Sequence, residues 1–231
     1  QGMYSPGSIF KLLTAIYVLE NEIVNLDKTY YCNGAYRLGN RSFKCWKKEG
    51  HQSVNIHQAI VNSCNVYFYN LSHLISYNDF ISFADSMGFG KKTFIDLDGE
   101  KEGLLPSKEY MDKKYGKGRW GKGNLLNLCI GQGDLLVTPI QISNFINFLS
   151  TNNLNVINPH FYKTRKKKLV YPHISDSTLN IIKKSMFDAV NAKGGTGLNA
   201  KSLRIQISGK TGTVQNPHGE DHAWFAGFGR Y

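Results

Sequence analysis

Residues 8–19 are apolar on nearly every helical face. Ile9, Phe10, Leu12, Leu13, Ala15, Ile16, Val18 and Leu19 leave no polar stripe, which is the pattern of a helix buried all round. Ser8 and Lys11 stand within it, three residues apart and so stacked on one face. Pro6 and Gly7 set the serine in the first turn. Either Ser8 caps the helix while Lys11 snorkels to solvent, or the pair is there for its chemistry. Downstream, 54–63 and 66–75 read as two short helices separated by Ser63-Cys64-Asn65, and 80–87 as another, stopped at Gly88. Residues 139–149 and 175–192 are helical. "RIQISGKTGTVQ" and "HAWFAGFGR" alternate apolar with small or polar residues, as two neighbouring strands do. Residues 25–52 are polar, glycine-rich and without period, a length of loop that needs a function or an internal staple. Residues 93–135 read as irregular, and no internal repeat is visible.

Composition changes this picture little. A chain of 231 residues, 41% hydrophobic and 19% charged, buries a real core and is globular rather than disordered. No run of 18 apolar residues occurs, since Lys11 interrupts the best candidate, and no secretory leader is visible. The chain opens on Gln1 and closes on "FAGFGRY" in mid-strand, so both ends read as truncated. The net charge of +11 concentrates in "KTRKKK" at 163–168, which suits nucleic acid, anionic lipid or an acidic polymer. Without aromatic interleaving, finger spacing or a helix-turn-helix pattern, it reads as a solvated basic loop with no nucleic-acid partner.

The serine gains meaning from residues far along the chain. A serine hydroxyl is a poor nucleophile until a base takes its proton, and a lysine serves as that base only when kept neutral near pH 7. Burial and a second cation both lower a lysine pKa, and Lys210 in "SGKTGT" is the candidate cation. Gly209 and Gly212 flank it, leaving room for a substrate backbone along the strand. Thr211 and Thr213 offer hydroxyls, and the backbone N–H groups of Thr213 and Ser8 suit an oxyanion hole. Such a layout fits acyl transfer.

Four cysteines need a separate account. Cys129 lies in an apolar stretch and reads as a buried thiol. Cys32, Cys45 and Cys64 with His51 do not have a standard finger spacing, yet three thiols and an imidazole are the ligands of tetrahedral structural zinc. A disulfide between two of them is the competing reading, and it leaves an odd thiol.

"SIFK" at 8–11, "SCN" at 63–65 and "KTGT" at 210–213 resemble, in order, the S-x-x-K, S-x-N and K-T-G motifs of penicillin-binding transpeptidases and serine β-lactamases. S-x-N also recurs at Ser76 and Ser150, but Ser63 lies at a corner between two short helices about 55 residues after Ser8, where that family places its second motif. "GQGDLLVTPIQ" at 131–141 is similar to a further penicillin-binding protein segment. "GNRSFKCWKKEGHQSVNIHQAIVNSCNVYFYN" and "DHAWFAGF" narrow the resemblance to class B enzymes of the penicillin-binding protein 2 type, the elongation transpeptidases.

The resemblance implies an α+β fold, an antiparallel five-stranded sheet flanked by a helical cluster, with residues 1–231 as an incomplete transpeptidase domain. It implies Ser8 as nucleophile and Lys11 as its base, with Ser63 relaying the proton and Asn65 bonding the substrate amide. Lys210 then gives electrostatic support, and Thr211, Gly212 and Thr213 hold the donor carboxylate, with His222 lining the site. The implied reaction is attack on a D-alanyl-D-alanine stem peptide in peptidoglycan, release of D-alanine and transfer to a neighbouring amine, with β-lactams acylating Ser8 as mimics. It further implies a structural zinc at Cys32, Cys45, His51 and Cys64. A membrane anchor and stalk upstream are implied too, holding the catalytic domain on the periplasmic side of the inner membrane. The implied partners are a shape-determining membrane glycosyltransferase and elongation-complex proteins. Two alternatives stand beside it: a serine D,D-carboxypeptidase or β-lactamase using the same motifs, and a non-catalytic zinc-stapled binding module.

Overall fold

The computed structural model describes residues 2–152, 156–162, 169–214 and 221–230. The basic run at 163–168, and the loop reading placed on it, lie outside them. Helix α1 (Lys11–Glu20) is the centre of the molecule: Lys11 to Val18 are all buried, as its unbroken apolar pattern requires. Ser8 is not in that helix. It occupies a 3-10 turn, Gly7–Ile9, so the S-x-x-K pair straddles the junction between the two.

Residues 25–52 are more ordered than their lack of period suggests. Strand β1 (Tyr30–Cys32) pairs antiparallel with β4 (Gln52–Val54), and β2 (Ala35–Leu38) pairs with β3 (Arg41–Lys44). These strands are three or four residues long, too short for an alternating pattern to register. Helix α2 (Ile56–Val61) follows, started by a reciprocal capping box between Asn55 and Gln58. Helix α3 (Asn65–Leu71) passes into a 3-10 turn, Ser72–Leu74, and α4 (Tyr77–Ser86) ends before Gly88.

The stretch read as irregular, 93–135, contains two helices, α5 (Lys108–Tyr115) and α6 (Lys122–Cys129). Lysines and glycines obscure their periodicity, but the Ser107 hydroxyl caps the first by accepting from Tyr110 N–H. Helix α7 (Pro139–Ser150) starts with proline in its first turn and a Thr138–Gln141 capping box, and α8 (Asp176–Asn191) is capped by Ser175. Glu20 of α1 accepts from both the N–H and the hydroxyl of Ser175, fastening the start of α8 to the central helix.

Strand β5 (Gln206–Val214) pairs antiparallel with β6 (His222–Arg230), with Lys210 opposite Ala226 and Thr213 opposite Ala223. Among the described residues this pair represents the sheet expected beside the helical cluster. Helix α8 and the 3-10 turn pack on β5, and α7 packs on β6. Asn191 of α8 donates to Ile207 O of β5 at 2.9 Å, so the longest helix fixes the strand that carries Lys210.

Candidate active site

Ser8 is half-buried, presented by a turn that the rest of the chain grips from two sides. Gly7 adopts φ +54°, and its N–H donates to Gly131 O at 2.9 Å. Gly131 has φ +73°, and a Cβ there would lie 2.2 Å from Gly7 O. Only glycine permits that approach. The "GQGDLLVTP" segment continues the grip, since Val137 and Tyr4 exchange backbone hydrogen bonds and Ser5 Oγ donates to Leu135 O. On the other side Gly212 lets β5 close in, because a Cβ there would lie 2.9 Å from Pro6 O.

Lys11 neither snorkels nor leaves Ser8 to cap the helix. Lys11 is fully buried, and neither the 3-10 turn nor α1 carries a side-chain cap. Its Nζ donates to Ser63 O at 2.8 Å, Ser63 Oγ at 3.2 Å and Asn65 Oδ1 at 2.6 Å. The first two motifs are thus joined through one amine. Burial holds the Lys11 pKa down to about 8, with Cys45 and Cys64 pulling it upward. Lys210 is also fully buried, donates to Thr211 O at 3.1 Å, and is held well below the ordinary lysine value by burial and then by the charge on Lys11. Burial is the larger cause for both amines, and the two charges disfavour one another.

Ser63 owes its place to a helix end. Cys64 N–H donates to Ala59 O and Ser63 N–H to Ile60 O, which together form the hydrogen-bond pattern that closes a helix through a left-handed residue. That residue is Ser63, with φ +53°, in a position glycine ordinarily fills. A non-glycine residue there costs about 1–2 kcal/mol, and here it aims a hydroxyl at Lys11.

Asn65 is held by the cysteine cluster as well as by Lys11. Its backbone N–H donates to Cys45 Sγ at 3.3 Å and its Nδ2 to Lys44 O at 3.2 Å. The ligand atoms of Cys32, Cys45, His51 and Cys64 all lie within 4.8 Å of one another, a group able to hold a metal ion. Cys32 and Cys64 are fully buried, and all four cysteines of the chain are free thiols, so the disulfide reading is not what the structure has. His51 Nδ1 sits 3.6 Å from Cys32 Sγ and 3.5 Å from Cys45 Sγ. Cys129 is the buried, isolated thiol expected, its pKa pushed up by burial.

His222 begins β6 opposite Val214, its ring edge-on to Tyr4 at 5.3 Å. Thr213 is exposed, while Gly212 is buried and Thr211 half-buried. Gly7 sets the turn, as its place before Ser8 suggests. Sequence reasoning missed two participants: Lys44 O orients Asn65, and Trp46, 58% exposed, donates from its indole to Asn62 O beside the Ser63 corner.

A serine–histidine–aspartate grouping away from this site is structural. His57 contacts Ser185 Oγ at 2.9 Å and Asp188 at 3.2 Å, but Ser185 is fully buried and donates to Ile181 O. The trio ties α2 to α8 and has no access for a substrate.

A serine in a glycine-clamped turn, a buried lysine joined to a second serine and an asparagine, and a K-T-G strand closing the third side form a grouping suited to acyl transfer on the serine. The whole chain, residues 1–231, matches the family of the penicillin-binding protein transpeptidase domain, and the chain belongs to that family. Within it, the chain is 32% identical over 228 residues to the peptidoglycan D,D-transpeptidase MrdA of Acinetobacter baumannii, covering 93% of this chain and 33% of that protein. It superposes on penicillin-binding protein 2 of Helicobacter pylori, solved in complex with MreC, with a TM-score of 0.90 and 31% identity over 98% of this chain and 43% of that one. The corresponding values for Pseudomonas aeruginosa PBP2, solved with the compound WCK 5153, are 0.88 and 32%, over 99% of this chain and 53% of that one. The chain thus spans between a third and about half of these relatives.

Proposed function

We propose that this chain is the catalytic region of a peptidoglycan D,D-transpeptidase of the elongation type. The observation that carries the reading is the buried Lys11, bonded to both Ser63 and Asn65 one turn from Ser8. Neutral Lys11 takes the Ser8 Oγ proton as Oγ attacks the carbonyl of the penultimate D-alanine. The resulting oxyanion meets the N–H groups of Ser8 and Thr213. The carbon–nitrogen bond then breaks, Ser63 returns the proton to the leaving amine, and D-alanine departs. An acceptor amine attacks the Ser8 ester, restores the hydroxyl and completes the cross-link. Asn65 bonds the donor amide, while Lys210 supports the relay. Thr211, Gly212 and Thr213 hold the donor carboxylate, and His222 lines the entrance. β-Lactams acylate the same Ser8.

We further propose zinc at Cys32, Cys45, His51 and Cys64. With Zn–S of about 2.3 Å and Zn–N of about 2.0 Å, a tetrahedral site has nitrogen–sulfur edges of about 3.5 Å. The His51–Cys32 and His51–Cys45 separations of 3.6 and 3.5 Å support the fit. Bound there, zinc supplies a structural cross-link. Cys64 lies between Ser63 and Asn65, so the site pins the corner that Lys11 reads.

Likeness to peptidoglycan D,D-transpeptidases several hundred residues longer than this chain leaves room for an upstream anchor and stalk, with this region on the periplasmic face of the inner membrane. Among the described residues no helix is long and apolar enough to cross a membrane. The Helicobacter pylori relative was solved with MreC, which supports elongation-complex partners; likeness at 27% identity to a component of a peptidoglycan synthase complex that coordinates polymerization and crosslinking supports a membrane glycosyltransferase among them. The test is turnover of a stem peptide ending in D-alanyl-D-alanine, with an excess of acceptor amine. Transfer to the amine, lost in Ser8→Ala, is expected. Hydrolysis alone would assign a carboxypeptidase, and no D-alanine release would refute the enzyme reading.

A further inference from the structure

Thr196 belongs to none of the recognised motifs, yet its hydrogen bonds join two walls of the cleft. It sits in Gly195-Thr196-Gly197, just beyond α8, and the turn folds back on the helix end. Gly195 N–H donates to Ala192 O at 3.0 Å and Gly197 N–H to Ala189 O at 2.8 Å. A Cβ on Gly195 would lie 2.4 Å from Ala189 O, so this position in the fold-back needs glycine. Held there, Thr196 donates twice to Val61 O, from its N–H and from Oγ1, both at 3.3 Å. Thr211 Oγ1 donates to Thr196 Oγ1 at 3.0 Å.

The two ends of this chain of bonds are chemically informative. Val61 is the last residue of α2, two before Ser63, and Thr211 follows Lys210. A carbonyl only accepts, so the Thr196 hydroxyl proton is committed to Val61 O and Thr196 offers Thr211 only a lone pair. In the free protein Thr211 thus spends its single hydroxyl proton on Thr196, with its rotamer fixed; when an acceptor-only carboxylate takes that proton, the Thr196 hydroxyl can turn from Val61 O, which keeps the Thr196 N–H, and donate to Thr211.

We infer that Thr196 is a positioning residue, one that presets the Thr211 hydroxyl for a substrate carboxylate and holds the K-T-G strand in register with the Ser63 corner. The inference rests on the proposed acyl-transfer reading and adds to it a residue outside the three motifs. Thr196 touches no reacting atom. Its effect belongs to capture of the ligand rather than to the acylation step.

The test uses the full-length protein with benzylpenicillin and with its methyl ester, following Ser8 acylation by intact mass over a concentration series. Such a series separates the dissociation constant of the initial complex from the limiting acylation rate. Thr196→Val keeps the shape and removes the hydroxyl. It should weaken capture of the acid about tenfold, the worth of one hydrogen bond, with a far smaller change in the limiting rate. With the ester the penalty should vanish. Thr196→Ser should restore capture. Thr196→Val added to Thr211→Val should cost no more than Thr211→Val alone. Thr196→Ala removes the hydroxyl without adding a methyl, should valine disturb folding. Wild-type protein that forms no Ser8 adduct overturns the acyl-transfer reading and this inference with it. A wild type that is acylated, beside hydroxyl-free variants that match it or lose equally with acid and ester, overturns the role of Thr196 alone.

Discussion

Lys11 concentrates the chemistry of the site in one amine. Removing its charge from water costs several kcal/mol, which three hydrogen bonds to Ser63 and Asn65 offset in part. Burial, opposed by the nearby Cys45 and Cys64, leaves its pKa at about 8. At pH 7 about a tenth of the molecules then hold the neutral amine that can act as a base, and the fraction rises with pH. The second-order rate of Ser8 acylation should therefore climb between pH 6 and 9, with its inflection at about 8. A flat profile, or one falling over that range, would remove Lys11 from the role of base. For stability the sign is the same. A lysine whose folded pKa lies below its unfolded value is bound by more protons in the unfolded chain. Its contribution to stability therefore rises between about pH 8 and the unfolded value of 10.5.

The elements around this residue are arranged by close backbone contacts rather than by large side chains. Gly131 lies against Gly7 O, and Gly212 lies against Pro6 O. Gly131→Ala adds a methyl where none fits, in a left-handed backbone. The expected cost is about 2–4 kcal/mol, a fall in Tm of roughly 10 °C, together with slower acylation of an intact Ser8. An unchanged Tm by calorimetry would contradict the clamp. These contacts also explain what was legible in the sequence. Lys11, Ser63 and Lys210 could be read because chemistry restricts their residue types. The six α-helices anticipated from apolar period or capping, α1, α2, α3, α4, α7 and α8, are present with shifted bounds. The four short strands of 30–54 and helices α5 and α6 were not legible, since strands of three or four residues have no period and the helices carry lysine where apolar residues would mark a face. The Thr196 bridge was hidden for a different reason: its partners, Val61 and Thr211, lie 135 and 15 residues away.

At the scale of the whole molecule, the cysteine cluster links the small strand pairs to the Ser63 corner. Cys32 comes from β1, Cys45 follows β3, His51 precedes β4, and Cys64 precedes α3. Cys45 also accepts from Asn65 N–H, so loosening the cluster loosens the asparagine. One zinc per chain is expected by elemental analysis. Chelation should lower Tm by roughly 10 °C, since metal affinity is folding free energy in such sites. Cys64→Ser should lose the metal and acylate at least tenfold more slowly, through displacement of Ser63 and Asn65. Acylation at the wild-type rate in a metal-free Cys64→Ser protein would show that the cluster and the catalytic corner are independent.

The central claim is that Ser8, activated by Lys11, is the acyl-accepting nucleophile. The most direct measurement is the intact mass of the full-length protein after incubation with a penicillin, followed by peptide mapping, with Ser8→Ala alongside. A stable adduct of one penicillin is expected, mapped to the peptide containing Ser8 and absent from Ser8→Ala. A folded, metal-loaded protein that gains no mass, or gains it equally in Ser8→Ala, would contradict it.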